Sequence, residues 1–230
     1  MKGVMFDLDG TLLDTLADIG NACNAVLARR GWHPHPLAAY RKMVGNGFRE
    51  LMRRALPAEA ALPSAEFEAL VAEGCAFYGK NMFERTRPYE GIPEALSRLA
   101  GMGAALSVLS NKPEALTRIL IARFFPEIPF IRVCGGRAGT PLKPDPQAVR
   151  GILAGIGLEP AQCLYAGDSV VDVRTAQNAG MAPVAVAWGF GGPDELREAG
   201  ARWIADAPAR LPELFAETRN AENCGVAACH

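Results

Sequence analysis

Short apolar runs alternate with helix-length stripes along this chain, and that alternation narrows its fold more than any other feature. Residues 3 to 7 form a short apolar segment, Val4-Met5-Phe6 at its heart, that ends on acidic residues. A buried parallel strand with a functional C-terminal end has this form. From about residue 93 the pattern predicts a helix over 93 to 100, a strand over 104 to 109 and a helix over 113 to 123. A strand over 130 to 134, a helix over 146 to 156, a strand over 163 to 167, a helix over 171 to 179 and a strand over 182 to 187 follow. Such alternation predicts an α/β fold, a parallel sheet with helices on both faces. Ligands of such sheets bind beyond the C-terminal strand ends, beside the switch in strand order.

Between the first strand and the rest, the period is different. Leu16, Ile19, Gly20, Cys23, Val26 and Leu27 recur at helical spacing, with Gly31 as a stop and Pro34 and Pro36 as turn signals. Phe48, Leu51, Met52 and Leu56 form a second stripe, and Phe67, Leu70, Val71, Gly74, Cys75 and Tyr78 a third. Residues 15–85 are therefore expected to be an all-helical insertion into a core made of residues 1–14 and 86–218, left through Arg87-Pro88-Tyr89-Glu90-Gly91. Residues 219–230 lack clear periodicity and are expected to be a mobile tail. The spacing of Cys224, Cys229 and His230 resembles no usual zinc site.

With 24 basic and 25 acidic residues the formal charge is -1, which gives no reason to expect nucleic acid or an anionic membrane as partner. Any phosphate binding must be local. The six cysteines are scattered without CxxC spacing, the start lacks a basic-then-apolar signal pattern, and no apolar run is long enough to span a bilayer. A cytoplasmic protein with reduced thiols is expected.

The chemistry gathers where strands end. Asp7-Leu8-Asp9-Gly10-Thr11 places two carboxylates two residues apart, and Gly10 permits the bend that lets both face one small volume. Such a pair could attack and handle a phosphoryl group with a hard cation such as Mg²⁺, or form a surface turn with a helix cap. Ser110-Asn111-Lys112-Pro113 could donate to a phosphate from a hydroxyl and from backbone N–H groups at a helix start, or simply cap the helix. In Lys143-Pro144-Asp145-Pro146 the prolines stiffen the backbone around an N-capping Asp145, so Lys143 could neutralise a nucleophilic carboxylate and phosphoryl oxygens, or be exposed in the turn. Asp168, at the end of 163–167, could complete a cation site, and Asp172 lies one helical turn later. Hard oxygen donors without a His or Cys cluster favour Mg²⁺ over zinc.

These four motifs, in this order, resemble the haloacid dehalogenase superfamily over residues 3 to about 215. The resemblance implies a Rossmann-like core with an inserted helical cap that closes over the site. Asp7 would be the nucleophile that forms an aspartyl phosphate, and Asp9 the general acid that then activates water. Mg²⁺ would be held by Asp7, the backbone carbonyl of Asp9, and Asp168, with Asp172 supporting Lys143 or metal-bound water. Lys143 and Ser110 would bind the phosphoryl group. Further substrate contacts are expected from Thr11 and Asn111, and in the cap from the loop Gly45-Asn46-Gly47 and from Arg49. Arg49 and Arg53, four apart on one helical face, could meet a substrate carboxylate or phosphate, or be solvated. Trp188-Gly189-Phe190-Gly191-Gly192 through Arg202-Trp203-Ile204, with Arg87-Pro88-Tyr89, resembles the phosphoglycolate phosphatase branch.

That branch implies a phosphatase acting on a small phosphorylated metabolite, foremost 2-phosphoglycolate, as a monomer or homodimer. The second acid separates the chain from true dehalogenases, whose halide leaving group needs no proton. A sugar phosphomutase of the β-phosphoglucomutase type shares all four motifs and competes with the phosphatase, as does a pyrophosphatase. A catalytically silent binding protein on the same fold would be expected to lose the nucleophile, the acid or the lysine, and this chain keeps all three.

Overall fold

A computed structural model describes the backbone of residues 1–226, with side chains placed through Arg219. The described chain runs β1 (Gly3–Phe6), β2 (Leu13–Asp14), α1 (Leu16–Arg29), a 3-10 turn (Leu37–Lys42), α2 (Phe48–Ala55), α3 (Ser64–Asn81) and β3 (Arg87–Pro88). It continues through α4 (Ile92–Gly101), β4 (Ala105–Pro113), α5 (Glu114–Phe124), β5 (Phe130–Gly136), α6 (Gln147–Ile156) and β6 (Cys163–Gly167). The last elements are α7 (Val170–Ala179), β7 (Ala182–Val186), α8 (Pro193–Glu198), β8 (Trp203–Ala205) and α9 (Arg210–Val226).

Six strands form one sheet in the order β5-β4-β1-β6-β7-β8, and each neighbouring pair is parallel. The chain builds outward from β1 through β4 and β5, then returns to the other side of β1 to lay down β6. The switch in strand order therefore lies at β1, and Asp7, Ser110 and Asp168 come from the C-terminal parts of the three central strands. Alternate residues of β1 point to opposite faces. Val4 and Phe6 join a core cluster that includes residues of α4 and α9, whereas Met5 joins Val149, Ile152 and Leu153 of α6 and Ala176 of α7. Helices on both faces leave all four residues of β1 buried, which explains an apolar run with no polar alternation.

Four departures from the sequence reading have physical causes. The sheet has a sixth strand, β8, whose three residues are too few for periodicity to register. Strand β4 runs on through Ser110, Asn111 and Lys112 to Pro113, with an irregular register against β5 between Leu109 and Pro113. Those residues consequently lie on an extended segment, not in the first turn of α5. Pro146, not Asp145, is the N-cap of α6, although the Asp145 carboxylate still accepts from Gln147 N at 2.8 Å. Lastly, the segment from residue 219 is helical as far as Val226, where α9 ends, and residues 227–230 lie outside the described residues. Leu211, Leu214 and Phe215 bury a helical stripe, and the helix packs against α4. The side chains of Cys224, Cys229 and His230 lie outside the described residues.

Between β2 and β3 the described chain holds only helices and turns. β2 and β3 pair antiparallel, Leu13 with Pro88 and Asp14 with Arg87, so the two ends of this helical segment lie side by side. A buried carboxylate reinforces the junction. Asp18, in the first turn of α1, accepts from Arg85 N at 3.0 Å, Thr86 N at 2.9 Å and Thr86 Oγ1 at 2.8 Å. Asp18→Ala would leave these donors without their acceptor, and we expect it to cost about 3 kcal/mol. Urea unfolding checks this: a loss below about 1 kcal/mol would show that water replaces the clamp.

Candidate active site

Three of the four motifs lie on the wall of a cleft of about 700 Å³ between the strand ends and the helical segment, at the C-terminal end of the sheet, and the fourth joins them from behind the wall through Lys143, whose ammonium reaches Asp7. Asp7 Oδ1 accepts from the backbone N of Leu8 at 2.7 Å and is 2.9 Å from Lys143 Nζ. Asp172 Oδ1 holds the same ammonium at 2.7 Å, and the Tyr165 ring centroid lies 5.8 Å from it. The other oxygen of Asp172 closes the capping box of α7, accepting from Ser169 N at 3.1 Å and from its hydroxyl at 2.6 Å. Burial opposes the charge of Lys143, but Asp172, Asp7 and Tyr165 outweigh it and hold its pKa well above the ordinary lysine value.

Asp168 is fixed by Thr11 Oγ1, which donates to Oδ1 at 2.9 Å, and by Phe190 N, which donates to Oδ2 at 2.8 Å. Two glycines make room for it. A Cβ on Gly10, whose φ is 82°, would overlap the Asp168 carboxylate, and one on Gly189 would overlap its stem. Thr11 is fully buried, and its hydroxyl is taken up by Asp168.

Asp7, Asp168 and Asp172 each offer a carboxylate oxygen, and these oxygens lie within 4.8 Å of one another. Burial, with Asp172 and Asp9 adding to it against the pull of Lys143, raises the Asp7 pKa from 3.8 to about 7. Burial, then Asp172 and Asp7, raises that of Asp168 to about 8. Three buried carboxylates facing one ammonium form a hard oxygen site with excess negative charge, which fits a divalent cation. Asp172 already spends both oxygens on Lys143 and Ser169, whereas Asp7 Oδ2 has no hydrogen bond among the described residues. Asp168 also accepts at both oxygens, from Thr11 and from Phe190 N, so Asp7 Oδ2 is the most open of these carboxylate oxygens among the described residues.

Asp9 turns the other way. Its Oδ1 accepts from Thr15 Oγ1 at 2.7 Å, and its Oδ2 is 3.0 Å from Lys112 Nζ. Thr15 stands at the N-cap of α1 but gives its hydroxyl to Asp9 instead of capping the helix.

Ser110 lines the cleft and is buried; its Oγ accepts only a long bond, 3.3 Å, from Lys112 N. Asn111 also borders the cleft, but its amide is taken up by backbone. Nδ2 donates to Gly45 O at 2.9 Å and to Lys143 O at 3.2 Å, while Oδ1 accepts from Lys143 N at 2.8 Å. Asn111 is thus a brace for Lys143 and the Gly45 loop at the edge of the cleft. Gly45, Asn46 and Gly47 form part of the cleft wall. Arg49 does not. It is exposed, pairs with Glu68 at 2.7 Å and lies over the Phe67 ring, as does Arg53, because the buried face of α2 carries Leu51, Met52 and Ala55.

Arg54, one position beyond Arg53, reaches the cleft wall and braces the loop through Met43 O at 3.0 Å and Asn46 Oδ1 at 2.9 Å. Arg41 donates to Gly189 O across the cleft. Thr15, Arg41, Arg54 and Lys112 had no role in the sequence reading. Of these, only Lys112 carried a signal, since it stands two residues from Ser110 in a strand-end motif and period two places them on one side.

The match of residues 4–186 to the haloacid dehalogenase-like hydrolase family shows that the chain belongs to that family. It is 31% identical over 218 residues to the phosphoglycolate phosphatase of Xylella fastidiosa (strain 9a5c), covering 93% of this chain and 91% of that one. Against the phosphoglycolate phosphatase of Pseudomonas syringae pv. tomato it is 35% identical over 218 residues, covering 91% and 78%. The crystal structure of a predicted phosphoglycolate phosphatase from Haemophilus somnus 129pt superposes with a TM-score of 0.87 at 29% identity, over 93% of this chain and 97% of that one. Among the described residues no helix is long and apolar enough to cross a membrane.

The raised acids set a pH dependence. A carboxyl whose pKa is higher in the folded than in the unfolded chain stabilises the fold while protonated, so the folded state here binds more protons between 3.8 and about 8. In EDTA the melting temperature should therefore fall as pH rises from about 5 to about 8. Added Mg²⁺ should raise it far more at pH 8 than at pH 5, because the cation competes with those protons. A Mg²⁺ shift equal at both pH values would place the cation elsewhere.

Proposed function

We propose that this protein is a Mg²⁺-dependent phosphatase that hydrolyses a small phosphate monoester through an aspartyl phosphate on Asp7, with 2-phosphoglycolate as its substrate. The observation that carries this reading is the separate wiring of Asp7 and Asp9. Asp7 sits among Lys143, Asp168 and Asp172, while Asp9 faces Thr15 and Lys112. Two acids so close in sequence, with such different partners, suit two different tasks. The name shared by relatives that match nearly the whole chain supports the choice of ester.

Asp7 and Asp168, with the Asp9 carbonyl, would hold Mg²⁺, which supplies positive charge opposite the phosphoryl oxygens when bound. Lys143 keeps Asp7 beside a positive charge and, with Ser110, receives phosphoryl oxygens. Asp7 forms a bond to phosphorus as the bond from phosphorus to the leaving oxygen breaks, and Asp9 passes its proton to that oxygen. Asp9, now a carboxylate, takes a proton from water as the water oxygen bonds to phosphorus. The Asp7 carboxylate is regenerated and inorganic phosphate is released. Residues 15–85 serve as a lid over this chemistry, keeping bulk water from the reacting centre.

Phosphate release from 2-phosphoglycolate, pyrophosphate and sugar phosphates, with and without Mg²⁺, tests the reading. Turnover should require the cation and favour 2-phosphoglycolate. Asp9→Asn should lower kcat by about 10²–10⁴-fold, the usual worth of a general acid and base. Asp7→Asn should leave no phosphoenzyme to trap and almost no turnover. Unchanged release by Asp7→Asn would overturn the covalent route, and glucose 1,6-bisphosphate-dependent isomerisation of a sugar phosphate would make the chain a mutase.

A further inference from the structure

The reaction outlined above leaves Lys112 without a task, yet few cations in the chain are so deeply placed or so closely held. The residue is 7% exposed, and its ammonium lies 3.0 Å from Asp9 Oδ2, 3.0 Å from the Tyr78 hydroxyl and 4.3 Å from the centroid of the Tyr78 ring. Burying an ammonium is costly unless its donors are met, and here a carboxylate, a phenol oxygen and an aromatic face meet it together. Burial works against its charge, but Asp9 and Tyr78 outweigh burial and hold its pKa above the ordinary lysine value. Lys112 is therefore a fixed positive charge at one oxygen of Asp9.

The origins of the three groups matter. Asp9 follows β1 and Lys112 belongs to β4, so both are carried by the sheet. Tyr78 belongs to α3, in the helical segment, and its own side chain is almost fully buried. The other oxygen of Asp9 accepts from Thr15, where that helical segment begins. Both grips on the Asp9 carboxylate thus depend on residues 15–85 lying as they do.

We propose that Lys112, held by the Tyr78 hydroxyl, is a positioning residue that orients the Asp9 carboxylate toward the leaving oxygen and makes that orientation conditional on the docking of α3. The inference rests on the reading of Asp9 as the group that moves the proton. A lysine that bound the phosphoryl group directly would serve every ester alike. One that positions Asp9 matters most where the leaving group needs a proton.

Steady-state kinetics in Mg²⁺ with two esters separates these roles. The oxygen leaving 2-phosphoglycolate is an alkoxide that must be protonated, whereas p-nitrophenolate leaves p-nitrophenyl phosphate without a proton. Because kcat/KM reports events up to loss of the leaving group, it isolates the first proton transfer. Lys112→Met should lower kcat/KM for 2-phosphoglycolate by about 10–100-fold, part of what a general acid supplies, and for p-nitrophenyl phosphate by less than about 3-fold. Tyr78→Phe, which removes one oxygen and keeps the ring beneath the ammonium, should reproduce the selectivity at about 3–10-fold, with an unchanged melting temperature. Equal losses on the two esters, losses confined to KM, or a silent Tyr78→Phe would overturn the proposal while leaving the phosphatase reading intact. If the unaltered protein turned over neither ester nor any other phosphate ester with Mg²⁺ present, the phosphatase reading would fall, and this inference with it.

Discussion

A single buried ammonium, that of Lys143, decides how the site is built. It lies 2.9 Å from Asp7 and 2.7 Å from Asp172, and its own backbone is held at N and O by the Asn111 amide. Tip and base are both fixed, so the lysine cannot swing out to solvent. Without it, Asp7, Asp168 and Asp172 would be buried beside one another uncompensated, a loss of about 3–5 kcal/mol for a single broken buried pair. With it, three carboxylates still share one ammonium, an arrangement of hard oxygen donors that could hold a divalent cation. Asp172 extends the arrangement into the fold, since its second oxygen caps α7. The charge network and the start of a core helix are thus one structure.

The second consequence is the division of labour between Asp7 and Asp9. Residues two apart in a strand would share one face. The chain leaves β1 after Phe6 and turns at Gly10, however, so each acid finds its own neighbours. Asp7 remains over the sheet end, among charges. Asp9 points to the boundary with the helical segment, where one hydroxyl and one ammonium meet it. One turn thus separates an acid held among buried charges from an acid held at the boundary with the helical segment, which is the contrast in surroundings that the proposed division of roles requires.

How far this was legible in the chain depends on the physical range of each signal. The five longer strands and their helices showed themselves because burial on two faces demands local apolar runs. β8 did not, because three residues carry no period. The motif acids could be located at strand ends, since parallel sheets put their chemistry there, whereas Lys143 lies in the loop between β5 and α6. Which residues would contact substrate was less readable: Thr11 and Asn111 proved to hold Asp168 and Lys143 in place, and Arg49 proved to face Glu68. The choice among neighbouring polar residues on a helix or strand is settled by tertiary packing, as the contrast between exposed Arg49 and cleft-lining Arg54 on α2 shows. Contacts that join distant segments, such as Lys112 with Tyr78 or Arg41 with Gly189, leave no trace in local spacing.

Those distant contacts share a direction. Asp18 ties the start of the helical segment to its end, Asn111 takes the Gly45 carbonyl, Arg41 reaches Gly189, and Thr15 and Tyr78 secure Asp9 directly or through Lys112. All but the Asp18 clamp join residues 15–85 to a group that also positions Asp9, Lys143 or Asp168. Gly189 shows this most simply, because it accepts from Arg41 while packing against Asp168 so closely that a Cβ would not fit. A shift of the helical segment would therefore do more than open the cleft. It would take Thr15 from Asp9 and Tyr78 from Lys112 and release the Gly45 carbonyl from the Asn111 amide that braces Lys143, so the arrangement of the strand-end charges and the cover over them are coupled.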